Sequence, residues 1–318
     1  YRDQQEACGN GAAGMTTNPF LVGATMNNDR AFWADRIAGI PQDLGGDEKV
    51  LSLMRAVTGF YAEQARPIFV RGISGKGYVC AQVNPRKTGD EAYMVEQAKI
   101  ISSWAPNIVV KLPATNAGIH AYEKCAAMGM NVAATVSFTV PQVLAVGEAA
   151  ERARRLALAS GVKPGLNIAV MMVGRLDDYL RDVAHDTDAK VSEADIVQAG
   201  VACLKKAYRI FCERGYQTYL MPAGCRGANH VLEFAGARMI MSIAPKIAVL
   251  AADAKREERI DVPVDPKVIG RLMTMPEFRK AYLEDGMQQT EFITFGATNR
   301  TTDQFINDGW NLLEGFKF

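Results

Sequence analysis

A lysine stands at the end of an apolar run, where its side chain could act as a nucleophile. Residues 108–118 read IVVKLPATNAG, in which Lys111 follows three β-branched residues of a predicted strand. A charged ammonium group on a strand covered by helices costs several kcal/mol, so burial shifts a lysine toward its neutral amine. A neutral amine can condense with a carbonyl group to form a Schiff base. The alternative is that Lys111 stays charged, reaches the edge of the sheet and binds a phosphate or carboxylate.

Short apolar runs alternate along the chain with longer amphipathic stretches, which is typical of βαβ units around a parallel sheet. Seven predicted strands lie at 12–17, 78–84, 107–112, 131–138, 167–173, 217–223 and 237–243. This repetition predicts an α/β protein with a (β/α)8 TIM barrel. The count is one strand short, and residues 1–11 read as the end of a helix. We therefore expect the first strand to be missing or to lie outside the given residues.

The barrel is expected to be one domain. No low-complexity linker divides the chain, so residues 1–318 are predicted to form a single (β/α) barrel domain. Residues 244–318 are charged and mainly helical in pattern, and are predicted to pack on the barrel as a C-terminal helical extension.

Active sites of such barrels lie at the carboxyl ends of the strands. The polar residues at the predicted strand ends are Thr16, Thr17, Asn18, Gln82, Asn84, Lys111, Thr135, Ser137, Arg175, Arg226 and Ser242. The guanidinium group of an arginine matches the paired oxygens of a phosphate, so Arg175 and Arg226 are candidates for an anion site. With Lys111 as a third cation, the same groups could bind a phosphorylated ligand without covalent chemistry.

Five segments follow one another in an order that resembles the transaldolase family. They are MTTNPFL (15–21), VVKLPATNAGIHA (109–121), GMNVAATVSFTVPQ (129–142), MVGRLDDY (172–179) and AGCRGANHV (223–231). The resemblance covers about residues 12 to 250, and it implies that Lys111 is the Schiff-base lysine. The activity that it implies is the transfer or release of a three-carbon dihydroxyacetone unit from a ketose phosphate.

The same resemblance implies a set of substrate-binding residues. Arg175 and Arg226 match the two family arginines that hold the substrate phosphate. Thr17 and Asn18 match a segment in which asparagine contacts substrate hydroxyls, although turn formation before a proline explains them equally well. Ser242 is expected to add a hydroxyl group.

Several positions depart from the pattern of ordinary transaldolases. Transaldolases carry an acid/base glutamate where this chain has Gln82. The related fructose-6-phosphate aldolases have a glutamine there, as this chain does. A glutamine cannot exchange a proton near neutral pH, so Gln82 is expected only to orient a water molecule, together with Thr135. Ala133 replaces an asparagine, Met172 replaces an aromatic residue, and Gly224 stands where a phosphate-binding serine is usual.

The acid/base aspartate of the family's first strand has no counterpart in the sequence, and Asp177 and Tyr219 are the candidate substitutes. If nothing replaces the lost groups, the chain is a non-catalytic or weakly catalytic barrel that binds a sugar phosphate.

Composition excludes several other classes of protein. The 318 residues carry a net charge of +1, from 36 basic and 35 acidic residues, which favours neither nucleic acid nor an anionic membrane. The apolar runs are shorter than the roughly 20 residues of a membrane span. No GxxxxGK[ST] motif or zinc-ligand spacing occurs, so no cofactor and no metal are expected. The expected partner is a small sugar phosphate, with a homo-oligomer possible.

The cysteines indicate a reducing compartment. There are six of them without a CxxC pair, namely Cys8, Cys80, Cys125, Cys203, Cys212 and Cys225. Scattered thiols of this kind predict a reduced, cytoplasmic protein.

Overall fold

The computed structural model describes residues 12–41, 43–73, 75–255 and 257–317. The helix predicted within residues 1–11 lies outside the described residues, and so does Cys8.

Six parallel strands form one sheet in chain order, each hydrogen-bonded to the next. They are β1 (Met15–Thr16), β2 (Val79–Gln82), β3 (Ile108–Pro113), β4 (Val132–Thr135), β5 (Asn167–Met171) and β6 (Tyr219–Pro222). All six overlap predicted strands, and helices separate most of them. The fold is that of a partial (β/α)8 barrel with C-terminal helices, which confirms the predicted fold class.

The seventh predicted strand, over 237–243, is wrong as a regular strand, although the segment lies beside the sheet. The Ile240 N–H donates to the Leu220 carbonyl at 3.1 Å, and the Ser242 N–H donates to the Pro222 carbonyl at 3.0 Å. The spacing of two residues on both segments is that of a parallel ladder. On its other side the hydroxyl of Ser242 lies 2.8 Å from that of Thr16 in β1. The segment therefore lies between the two edge strands, β6 and β1. Because β1 has only two residues, the pairing does not extend along it.

The helices surround this sheet and continue into the C-terminal segment. They are α1 (Pro19–Asn28), α2 (Arg30–Ile37), α3 (Gly46–Phe69), α4 (Glu91–Ser102), α5 (Asn116–Ala127), α6 (Val140–Ala159), α7 (Val173–Asp186), α8 (Glu193–Ile196), α9 (Ala199–Glu213), α10 (Asn229–Leu232), α11 (Pro245–Ala252), α12 (Pro266–Leu272), α13 (Pro276–Tyr282), α14 (Gly296–Phe305) and α15 (Asn311–Glu314). Short 3-10 turns occur at Pro85–Lys87 and Gln289–Thr294, and a π-helical turn at Ile306–Trp310. None of the helices in the described ranges combines the length and apolar character needed to cross a lipid bilayer.

Strand register sets which side chains share a face. In the parallel ladders Gln82 is opposite Lys111, and Lys111 is opposite Ala133. Because side chains alternate along a strand, paired residues on neighbouring strands project from the same side of the sheet. Lys111 is thereby flanked by one polar and one small apolar side chain.

The C-terminal segment contacts the loops that follow the carboxyl ends of the strands. The Thr298 hydroxyl lies 3.5 Å from the amide nitrogen of Gln142, at the start of α6. The indole N–H of Trp310 donates to Asp47, in the first turn of α3, at 3.1 Å. The segment thus lies at the end of the sheet where Lys111 is found, and the division of the chain into domains stays a prediction.

The turn after β3 provides a test of this packing. Thr115 caps α5 by accepting from the Gly118 N–H at 3.0 Å, and a Cβ on Gly118 would lie 1.9 Å from the Pro113 carbonyl oxygen. We expect Gly118→Ala to lower the free energy of unfolding by about 1–3 kcal/mol, because the added methyl group pushes α5 away from β3. Urea denaturation measures the change.

The matched control is Gly59→Ala in α3, where an added Cβ would have no neighbour within 4 Å. This variant should be as stable as the wild type or up to about 1 kcal/mol more stable, since alanine favours the helix. Equal midpoints for the two variants would contradict the packing described for Gly118.

Candidate active site

Lys111 is a buried amine at the carboxyl end of β3. The residue is 8% exposed, and its Nζ donates to the Thr17 carbonyl at 3.1 Å. Burial lowers the pKa of Lys111, and the positive charge of Arg175 lowers it further. A Cys80 thiolate would oppose this shift, but burial raises the pKa of Cys80 to about 11, so the thiol is neutral near pH 7. The environment therefore favours the neutral, nucleophilic form of the lysine.

Gln82, next to Lys111 in the sheet, carries an unpaired acceptor. The residue is 3% exposed, and in the described part of the chain its Oε1 is the one buried side-chain polar atom without a hydrogen-bond partner. Leaving such an atom unpaired costs about 1–3 kcal/mol. An acceptor of this kind suits a surface that receives a hydroxyl group or a water molecule.

Thr135 ends β4 two residues after Ala133, so the two side chains project from the same side of that strand. It is 2% exposed and lies opposite Pro113 in the ladder with β3. The next residue, Val136, has φ of 56°, a region that β-branched residues avoid at a cost of about 1–3 kcal/mol. The chain is therefore strained where it leaves β4 beside the candidate site.

Arg175 begins the second candidate group, in the first turn of α7. Its Nη1 donates to the side-chain oxygen of Gln304 at 2.6 Å, and its Cζ lies 5.7 Å from the ring centroid of Phe305. Burial, and after it the positive charge of Arg226, lower the pKa of Arg175. An arginine nevertheless stays charged at any physiological pH. Arg175 is thus a partly buried cation held by a neutral partner.

Arg226 lies nearby and is paired with a carboxylate, that of Asp178, which also pairs with Arg181 at 3.0 Å. Its Nε donates to Asp178 at 2.7 Å, and its Nη1 donates to the Gly224 carbonyl at 3.3 Å. The two arginines approach because a Cβ on Gly174 would lie only 2.3 Å from the Gly224 carbonyl oxygen. Only a residue without a side chain allows α7 to begin so close to the loop after β6.

The other predicted binding residues have structural partners. The Thr17 hydroxyl donates to the Cys80 carbonyl at 2.6 Å, and Asn18 caps α1 by accepting from the Leu21 N–H at 2.8 Å. That cap does not use the amide Nδ2 of Asn18. The hydroxyl of Ser242 pairs with Thr16, as described above. In the same turn, the backbone carbonyl of Thr17 accepts the hydrogen bond from the amine of Lys111.

Asp177 is not placed as a substitute acid/base group. It is 1% exposed, accepts from the Gly200 N–H at 2.8 Å, and lies 2.8 Å from Nε2 of the buried His230. The other ring nitrogen of His230 accepts from the Arg226 backbone N–H at 3.0 Å. His230 thus links Asp177 to the loop that carries Arg226, and these contacts occupy the carboxylate of Asp177.

Tyr219, the other suggested substitute, begins β6 and so lies at the amino end of the sheet. Its ring lies 4.9 Å from the guanidinium carbon of Arg238. It also lines a cavity of about 290 Å³ together with Tyr78, the residue that immediately precedes β2. Lys111 lies toward the opposite ends of the strands, so this suggestion is wrong in position.

Sequence reasoning missed the two residues that hold the arginines. Asp178 was visible in the GRLDDY segment, three residues after Arg175, but the pattern did not tell which acidic residue faces which arginine. Gln304 lies 129 residues after Arg175, and no local pattern marks it.

Within the described ranges no group of three or more His, Cys, Asp or Glu side chains converges as metal ligands would.

Comparison with known proteins identifies relatives for this arrangement. A family model described as Transaldolase/Fructose-6-phosphate aldolase matches residues 5–309. A transaldolase of Thiobacillus denitrificans is 26% identical over 228 residues, covering 69% of this chain and 62% of the relative. A transaldolase of Alteromonas mediterranea is 26% identical over 237 residues, covering 72% and 68% of the two chains. A probable transaldolase of Dehalococcoides mccartyi is 31% identical over 160 residues, covering 50% and 58%. The chain thus spans about three fifths of the length of the Thiobacillus denitrificans protein.

The ion pair between Arg226 and Asp178 predicts how anion affinity responds to charge. We expect Asp178→Asn to tighten the binding of inorganic phosphate about two- to fivefold, because the exposed pair weakens and Arg226 turns toward the anion. Titration calorimetry at low salt measures the dissociation constant.

The control is Asp182→Asn, which makes the same change in charge one turn along α7, where Asp182 pairs with Arg300. Its phosphate affinity should match that of the wild type. If the two variants bind phosphate equally well, Arg226 has no part in the anion site.

Proposed function

The chain belongs to the transaldolase/fructose-6-phosphate aldolase family, and from that premise we propose that Lys111 forms a Schiff base with a ketose phosphate. The proposed activity is the transfer or release of a three-carbon dihydroxyacetone unit. The observation that carries the proposal is the buried amine of Lys111. Burial lowers the pKa of this amine, and the positive charge of Arg175 lowers it further. Those conditions make a lysine nucleophilic.

The covalent steps need no redox change. The neutral amine of Lys111 attacks the C2 carbonyl of the ketose, and the carbinolamine takes up a proton from solvent and loses water to leave a protonated imine. The C3–C4 bond then breaks, with its electron pair moving into the imine to give a neutral enamine, while the C4 hydroxyl loses its proton. The aldehyde phosphate leaves. The enamine either attacks a second aldehyde, which completes a transfer, or is protonated and hydrolysed to dihydroxyacetone.

The proton from the C4 hydroxyl is the demanding part of this scheme. Gln82 cannot accept it, so the proposal routes it to a water molecule that Gln82 and Thr135 hold between them. The unpaired Oε1 of Gln82 supports this role, since it can accept a hydrogen bond from that water. Positioned acid/base groups contribute about 10²–10⁴ in rate, so a glutamine here predicts slow turnover.

The same glutamine favours a second candidate function, a barrel that binds a sugar phosphate with little or no turnover. In both cases the phosphate is proposed to bind Arg175 and Arg226, with Thr17, Asn18 and Ser242 near the sugar. The sugar phosphate as partner, a cytoplasmic location and a homo-oligomer stay predictions.

Reductive trapping separates the two functions. With fructose 6-phosphate or dihydroxyacetone and borohydride, we expect a stable adduct on the wild-type protein, located at Lys111 by peptide mass spectrometry. Lys111→Met should lose the adduct, because methionine fills the buried site without an amine.

The control is Lys163→Ala, which removes an exposed lysine and should leave trapping unchanged. A folded wild-type protein that binds phosphate but gives no adduct with either ketose would favour the non-covalent barrel. An adduct that persists in Lys111→Met would assign the chemistry to another lysine.

A further inference from the structure

The C-terminal segment reaches the proposed anion site through the end of α14. Gln304 and Phe305 are the last two residues of that helix, and both contact Arg175. Phe305 is 2% exposed and packs within cation–π distance of the guanidinium, while Gln304 accepts from its Nη1 at 2.6 Å. One helix end therefore fixes Arg175 both by packing and by a hydrogen bond.

The partner of Arg175 is a neutral amide, and this determines what the arginine can do. An amide oxygen occupies one of the five guanidinium N–H donors and brings no negative charge of its own. A carboxylate would cancel that charge, as Asp178 does for Arg226. Of the two neighbouring arginines, Arg175 is thus the one whose direct hydrogen-bond partner is neutral, and the carboxylate of Asp178 acts on it without an ion pair between the two side chains.

The turn that follows Gln304 is held against the barrel. In the π-helical turn at Ile306–Trp310, a Cβ on Gly309 would lie 2.9 Å from the backbone nitrogen of Phe20 and 3.0 Å from the Pro19 side chain. Trp310 is fully buried and hydrogen-bonded to Asp47. Turns of this kind often occur at functional sites. The same turn therefore packs against the start of α1 and holds the helix end that carries Gln304.

We propose that Gln304 is a positioning residue, which orients Arg175 as the main anchor for the phosphate end of the substrate without neutralising it. The C-terminal segment is then a component of the substrate site as well as a covering for the barrel. This inference rests on the proposed function, since it takes the anion bound at Arg175 to be the substrate phosphate.

Two substitutions test the role of the amide. Gln304→Ala removes the hydrogen bond, and we expect it to weaken the binding of inorganic phosphate about tenfold, the usual effect of losing a hydrogen bond to a charged group. Gln304→Glu keeps the shape but pairs Arg175 with a carboxylate, and it should weaken phosphate binding more than Gln304→Ala does. The control is Asn299→Ala, which removes an exposed amide from the same helix and should change nothing.

The two ketoses separate this inference from the imine proposal. Dihydroxyacetone carries no phosphate, so the Gln304 variants should trap it as the wild type does, whereas trapping of fructose 6-phosphate should require about tenfold more ketose. If the wild type traps neither ketose, the imine proposal fails, while the calorimetric ranking still tests Gln304.

Three results would overturn the inference. Phosphate affinity of both Gln304 variants could equal that of Asn299→Ala, Gln304→Glu could bind phosphate as tightly as the wild type, or the wild type could bind no phosphate. Because Gln304→Glu retains the size and hydrogen-bonding shape of the native side chain, it keeps the test valid if Gln304→Ala is poorly folded.

Discussion

The proposed chemistry of the candidate active site depends on the burial of one amine, that of Lys111. Lys111 lies in a strand whose six residues are all buried, and its Nζ bonds to a backbone carbonyl rather than to a carboxylate. In such a place the charged form is costly, so the pKa falls and the neutral amine gains population. The neighbouring positions are consistent with this, because the flanking side chains in the sheet are an uncharged amide and an alanine, and the cation Arg175 adds to the shift.

The anion site is built from parts of the chain that are far apart in sequence. Arg175 begins α7, Arg226 follows β6, and Gln304 ends α14, and each guanidinium has a different kind of partner. Glycines permit the close approach of the first two elements, and a buried tryptophan secures the third. Charge that is oriented but not cancelled is what a phosphate site requires, and the pairing of Gln304 with Arg175 supplies it.

The sequence predicted the sheet well because buried parallel strands are continuous apolar runs, and because Lys111 interrupts one of them conspicuously. The strand prediction failed over 237–243. An equally apolar run follows β6 there, but it makes only alternate hydrogen bonds to β6. Composition does not reveal how many neighbouring strands a segment will pair with. Tyr219 was misjudged although the predicted strand, 217–223, already placed it near the amino end, where the structure also has it. Gln304 could not be found, since a contact across 129 residues leaves no local pattern. The roles of the site residues come from the family resemblance and stay predictions.

The central claim is that burial lowers the pKa of the Lys111 amine below that of an ordinary lysine, and its titration tests this directly. Trace labelling with acetic anhydride at a series of pH values, read by mass spectrometry of the Lys111 peptide, follows the neutral fraction, with the exposed Lys163 as an internal reference. A lowered pKa means that labelling of Lys111 rises and reaches half its plateau at a pH below the ordinary value of 10.5. A midpoint for Lys111 at or above 10.5 would contradict the account.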